Sequence, residues 1–143
     1  MIIFILFILI ECASTESKKT KVLNLTSFEI TVPKNWKEIK MKGIDSKIGA
    51  IKLNNQEKVF YDYGLYSNKL TDLEPNNYVE YDKIDGKRAK IITGNSTGIY
   101  FDSIKFDEED SMNIKLQFSA NNLSKQNEEK LIQAFKTIKY KEK

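Results

Sequence analysis

The chain has 143 residues, 41% of them hydrophobic and 30% charged, so it is neither disordered nor embedded in a membrane along its length, and it has room for one ordinary domain. Its net charge is only +3, from 23 Lys and Arg against 20 Asp and Glu; the basic residues are dispersed lysines with a single arginine, Arg88, which reads as a solvated surface and not as a nucleic-acid footprint. There is no histidine and one cysteine, which excludes Ser-His-Asp and Cys-His catalysis, the usual zinc sites and an intramolecular disulfide.

The chain opens MIIFILFILIEC, with no polar side chain from Ile2 to Ile10. A transmembrane helix needs about 20 apolar residues, so this stretch is too short to span. An apolar run followed by small polar residues fits the hydrophobic region of a secretory signal. Leu9-Ile10-Glu11-Cys12 further resembles the Leu-x-small-Cys signal of bacterial lipoproteins, in which the cysteine is lipidated and begins the mature chain; Glu11 departs from the small residue usual there, and no basic residue precedes Lys18. Residues 1–11 are therefore expected to be a signal peptide, Cys12 a lipidation site, and residues 12–25 a flexible tether. Buried acyl chains contribute about 0.8 kcal/mol per methylene and would hold the protein at a membrane. The alternative is ordinary cleavage near Ala13 or Ser14, which discards Cys12 and releases a soluble secreted protein.

From residue 26 a single domain is expected. Period-2 alternation predicts strands over Phe28–Val32, stopped by Pro33, then Trp36–Met41, Ile48–Leu53 and Lys58–Ser67. Thr71–Asn77 reads as a loop. Tyr78–Lys83 and Lys87–Thr93 flank Asp85-Gly86, a type I′ hairpin signal. Gly94–Gly98 reads as a further loop, and strands Gly98–Phe106 and Met112–Ala120 are joined by the acidic run Asp107–Asp110 and Ser111. Ser124 is a good N-cap for a helix with Leu131, Ile132, Phe135 and Ile138 on one stripe, Glu128 and Glu129 near its start and lysines near its end. Residues 137–141 suggest a short final strand. The predicted fold is α+β: a curved antiparallel sheet of about seven strands packed against a C-terminal helix.

An early strand ending FEITVPKNWK (28–37), a DGKRAKI hairpin (85–91) and a helix ending AFKTIKY (134–140) together resemble the PsbP-like/DcrB-like superfamily over residues 26–141. The resemblance implies this fold and a small secreted protein or lipoprotein. It carries no functional residues over.

No nucleophile motif or carboxylate pair stands out, so a non-enzymatic role is expected, with no cofactor and no metal. The acidic run 107–110 has the oxygen ligands calcium takes but lacks the spacing of an EF-hand. Tyr61, Tyr63, Tyr66, Tyr78, Tyr81 and Tyr100 form a tyrosine-rich set on neighbouring strands, either a binding surface or sheet packing. The expected function is a lipid-anchored, non-enzymatic protein of the bacterial envelope. It would contact a membrane through its N-terminal lipid and a protein partner through the sheet, with no nucleic acid. A soluble secreted binder of carbohydrate or calcium is the alternative.

Overall fold

The computed structural model describes residues 19–25, 27–104 and 114–141. The expected signal peptide, Cys12 and the acidic run Asp107–Asp110 lie outside the described residues.

Among the described residues, ten strands and one helix follow in the order β1 (Thr20–Asn24), β2 (Phe28–Pro33), β3 (Lys37–Lys40), β4 (Lys47–Lys52), β5 (Lys58–Gly64), β6 (Tyr78–Ile84), β7 (Lys87–Thr93), β8 (Ser96–Ile104), β9 (Ile114–Asn121), α1 (Lys125–Phe135) and β10 (Lys139–Tyr140). The expected α+β fold is observed. The strands divide into a seven-stranded antiparallel sheet, ordered β3-β4-β5-β9-β8-β7-β6, and a three-stranded sheet, β1-β2-β10.

Three expected boundaries move. The polar stretch expected to be a tether through residue 25 enters the fold at Thr20, because β1 pairs with β2 along its whole length and Leu23 and Leu25 pack toward the core. The strand expected to run to Ser67 stops at Gly64, where the Ser67 hydroxyl meets the carbonyls of Asp62 (3.1 Å) and Gly64 (3.4 Å) and turns the chain. The loop expected over Gly94–Gly98 shrinks to a tight turn at Gly94 and Asn95, with Gly98 inside β8.

The core lies between the inner face of the large sheet and a second layer made of β2 and α1. Phe28, Ile30 and Val32 alternate inward from β2, and Leu131, Ala134 and Phe135 from α1, with Ile138 just beyond the helix. Ile51, Val59, Ile91, Ile99, Leu116 and Phe118 meet them from the sheet. Each such side chain contributes about 1.5–3 kcal/mol on burial. Phe28 sits at the centre of the rings, 5.9 Å from Tyr61, 6.0 Å from Tyr63 and 5.8 Å from Phe118.

Two glutamates pin the start of α1 to one end of the sheet. Ser124 caps the helix by accepting from the Asn127 N–H at 3.3 Å. Glu57, between β4 and β5, accepts from the Ser124 N–H and from Asn127 Nδ2 at 2.6 Å. Glu128 accepts from the Gly94 N–H and the Thr97 hydroxyl, each at 3.1 Å, and pairs with Lys125 at 3.1 Å. The stripe differs from expectation at two positions: Ala134 is buried, and Ile132 is half-buried at the border of the core. The last helical turn carries no basic residue, since the helix stops at Phe135 and Lys136 is its C-cap.

Candidate functional site

The register of the large sheet decides the fate of each tyrosine. Gly49 pairs with Tyr61 and Tyr61 with Phe118 on the inner face, so Tyr61 and Tyr63 belong to the core and not to a binding surface. Both are less than a tenth exposed. Desolvation pushes Tyr61 up to about 12, helped by the charge of Glu38 beside its hydroxyl, and desolvation likewise pushes Tyr63 up to about 12 against a hydrogen bond with Ser27. Tyr66, in the turn after β5, is 84% exposed. Tyr78 and Tyr81 lie exposed on β6, and Tyr100 is buried on the outer face of β8. On the outer face the structure thus brings together Tyr81 and Tyr100; Tyr78, three residues from Tyr81, lies on the opposite face of β6, and Tyr61 and Tyr63 meet in the core on Phe28.

The outer face is partly roofed by the segment 65–77, which crosses it as a strap. The Leu70 carbonyl accepts from Lys90 Nζ at 2.8 Å, the Asn77 side chain accepts from the Ser96 N–H at 3.0 Å, and Glu74 accepts from Asn95 Nδ2 at 3.0 Å. Gly98 permits the close approach: a Cβ there would fall 3.0 Å from Leu70 Cδ1 and 2.5 Å from the Phe118 carbonyl oxygen.

Beneath one side of the strap is a cavity of about 200 Å3 lined by Lys69, Tyr81, Arg88, Lys90, Tyr100 and Asp102. Register places Tyr81, Lys90 and Tyr100 side by side across β6, β7 and β8. The Arg88 guanidinium lies 4.3 Å from the centre of the Tyr81 ring, a cation–π contact that leaves its N–H edge free. The Tyr100 hydroxyl is shielded from solvent and has no hydrogen-bond partner among the described residues, an arrangement that costs about 1–3 kcal/mol. Desolvation, then the charge of Asp102, raises the pKa of Tyr100.

The charged residues of this cavity were not singled out from sequence. Arg88 is the one signal available, as the sole arginine of a lysine-rich chain; Lys69 and Asp102 come from other elements, and only the folded sheet joins them. A larger open groove of about 750 Å3 runs beside Phe60 and Asn121. Its carboxylate, Glu57, has both oxygens engaged in holding α1. Among the described residues no group of three His, Cys, Asp or Glu is placed to hold a metal ion, and no helix is long and apolar enough to cross a membrane.

The second notable surface is the free edge of β6. Among the described residues this strand pairs only with β7. Six of its seven residues are exposed, among them Tyr78 (74%), Val79 (40%) and Tyr81 (59%). Along it Tyr78, Glu80 and Asp82 share one face, and Val79, Tyr81 and Lys83 the other.

No family model, curated protein or solved structure matches the chain.

Proposed function

We propose that this chain is a lipid-anchored, non-enzymatic protein of the bacterial envelope that contacts a protein partner by taking up an extended segment along the free edge of β6. The observation that carries the reading is that edge: an unpaired row of backbone donors and acceptors flanked by exposed Tyr78, Val79 and Tyr81. Main-chain hydrogen bonds along such an edge supply affinity, and alternate side chains supply specificity. Glu80 and Asp82 favour a partner strand with basic side chains on that face. They also oppose self-pairing, since an antiparallel copy centred on Tyr81 would set Glu80 against Asp82.

The anchor rests on the Leu9–Cys12 sequence, and the charge at the entry of the fold suits it. The Lys19 carbonyl accepts from the Lys34 N–H at 3.1 Å. Three residues beyond Lys34, Lys37 begins β3 and pairs with Lys52, and Lys52 pairs with Lys58. That lysine row is complementary to anionic headgroups near an anchored N-terminus. The superfamily resemblance is part of the same reading.

Two measurements test it. Mass spectrometry of the mature N-terminus is expected to find a lipidated Cys12; an unmodified terminus at Ala13 or beyond overturns the anchor. A photo-crosslinker at Val79 in native envelopes is expected to give one discrete adduct to another protein, abolished by Tyr78→Ser with Tyr81→Ser. A crosslinker at Gln133 on α1 is expected to give none. No adduct at Val79, or the same adduct from both positions, overturns the partner surface.

A further inference from the structure

We propose that the cavity between the 65–77 strap and the outer face of β6–β8 binds a small oxyanion, a carboxylate or phosphate group, held by Arg88, Lys69, Lys90 and the Tyr100 hydroxyl. The charge arrangement calls for one. Lys83 stands directly opposite Arg88 in the β6–β7 register, with Lys90 two residues along β7, and like charges in facing positions repel. The cavity contains one carboxylate, Asp102, against three cations. Among the described residues the only ion pair is Lys125–Glu128, so none of these cations is paired with a described carboxylate.

Each donor is partly organised already. The Leu70 carbonyl holds the Lys90 ammonium by one of its three N–H groups, leaving two to donate. Arg88, stacked on Tyr81, offers the planar fork that matches a carboxylate or phosphate in two parallel hydrogen bonds. The buried Tyr100 hydroxyl, without a partner among the described residues, supplies a neutral donor on a side chain rooted in the sheet. Asp102 sets an acceptor at the rim, which a hydroxyl on the ligand would meet. At about 200 Å3 the space is below that of sites that enclose whole drug-sized ligands, so it admits an anionic group with a few neighbouring atoms, as on a sugar phosphate or sugar acid. The site shares Tyr81 with the β6 edge, but its donors, Arg88, Lys69, Lys90 and Tyr100, lie on other elements, so either proposal can fail alone.

The single arginine gives a clean readout, because its Nε–Hε resonance is unique. The isotope-labelled full chain would be titrated at constant ionic strength with inorganic phosphate, glucose 6-phosphate and glucuronate in separate arms. A saturable shift of the Arg88 resonance is expected. Phosphate and glucose 6-phosphate acting without glucuronate would assign a phosphoryl ligand, and glucuronate acting alone a carboxylated sugar. Tyr100→Phe and Lys69→Gln are each expected to weaken binding roughly five- to tenfold, and Lys139→Gln on β10 to leave it unchanged. A resonance that stays in place in every arm overturns the proposal. So does one that drifts without saturating, or that responds equally in wild type and both cavity variants.

Discussion

The Tyr140 N–H donates to the Asp85 carboxylate at 2.8 Å, which fastens the tip of the β6–β7 hairpin to the last strand of the chain. Asp85 and Gly86 have φ of 48° and 74°, the left-handed pair of a type I′ turn. Lys87 Nζ lies 4.6 Å above the Tyr140 ring, and that ring meets Phe101 edge-on at 5.5 Å. One residue thus makes the turn and joins the two sheets. Asp85→Ala would lose both the acceptor and a residue tolerant of positive φ. It is expected to lower stability by about 1–2 kcal/mol and to speed hydrogen exchange at the Tyr140 amide. Asp85→Asn keeps both properties and should lose less than half as much. Denaturant midpoints with amide exchange measure both effects.

The start of α1 carries a pH dependence of definite sign. The Ser124 N–H bond is the largest influence on Glu57; with Asn54, Asn127 and the Ser124 hydroxyl it holds the carboxyl below its ordinary value of 4.5 against desolvation. A carboxylate whose folded pKa is depressed contributes stability above its unfolded pKa and loses it as pH falls through the folded value. Glu57→Gln is therefore expected to cost about 1 kcal/mol at pH 7, kept small by solvent at the site. The gap between variant and wild type should narrow as pH is lowered from about 5. Urea melts at pH 7, 5 and 3.5 would follow it.

Local chemistry was legible in the sequence wherever neighbours in the chain decide the outcome. Asp85-Gly86 writes its own turn, Ser124 its own cap, and the alternation from Ile114 to Ala120 its own buried face. The partition into two sheets was not legible, because Phe28–Pro33 alternates identically whichever sheet it joins; pairing with Thr20–Asn24 and Lys139–Tyr140 is a tertiary choice. The tyrosine set shows the same limit. Alternation places Tyr61 and Tyr63 on one face of β5, but only the position of Phe28 makes that face the core. Tyr100 is buried on the opposite face because the strap crosses it. Arg88, Lys69 and Asp102 meet only after strands and strap are in place, so no spacing announces them.

The split among the tyrosines predicts the alkaline limit of the protein. Desolvation raises the pKa of Tyr61, Tyr63, Tyr100 and Tyr140, the first two from an ordinary 10.0 to about 12. A raised folded pKa means stability that is full below the unfolded value and lost as pH rises through the folded one. Stability should therefore fall between pH 10 and 12, and phenolate absorbance should show a late phase that merges with unfolding. Tyr61→Phe with Tyr63→Phe is expected to keep the ring packing on Phe28 and to reduce that late phase. Phe28→Ala, which removes the ring they share, is expected to lose about 3–5 kcal/mol at pH 7.

The strap can be loosened at its hinge by a residue that does not itself line the cavity. Ser67 is 3% exposed, and its hydroxyl, with one proton, is shared among the carbonyls of Asp62, Gly64 and Lys115 at 3.1, 3.4 and 3.4 Å. Removing it leaves three acceptors at the point where the chain turns out of β5. Ser67→Ala is expected to cost about 1–2 kcal/mol and to raise the rate of limited proteolysis within 65–77 several-fold. The large sheet, held by its own ladders and by Phe28 from the second layer, should keep its unfolding cooperativity. If the strap opens as a unit, exchange of the Ser96 amide, which donates to Asn77 at 3.0 Å, will rise in step with cleavage. Amides of β9 will not. An equal rise across β9 would mean that Ser67 supports the whole sheet, and that the strap is part of its core.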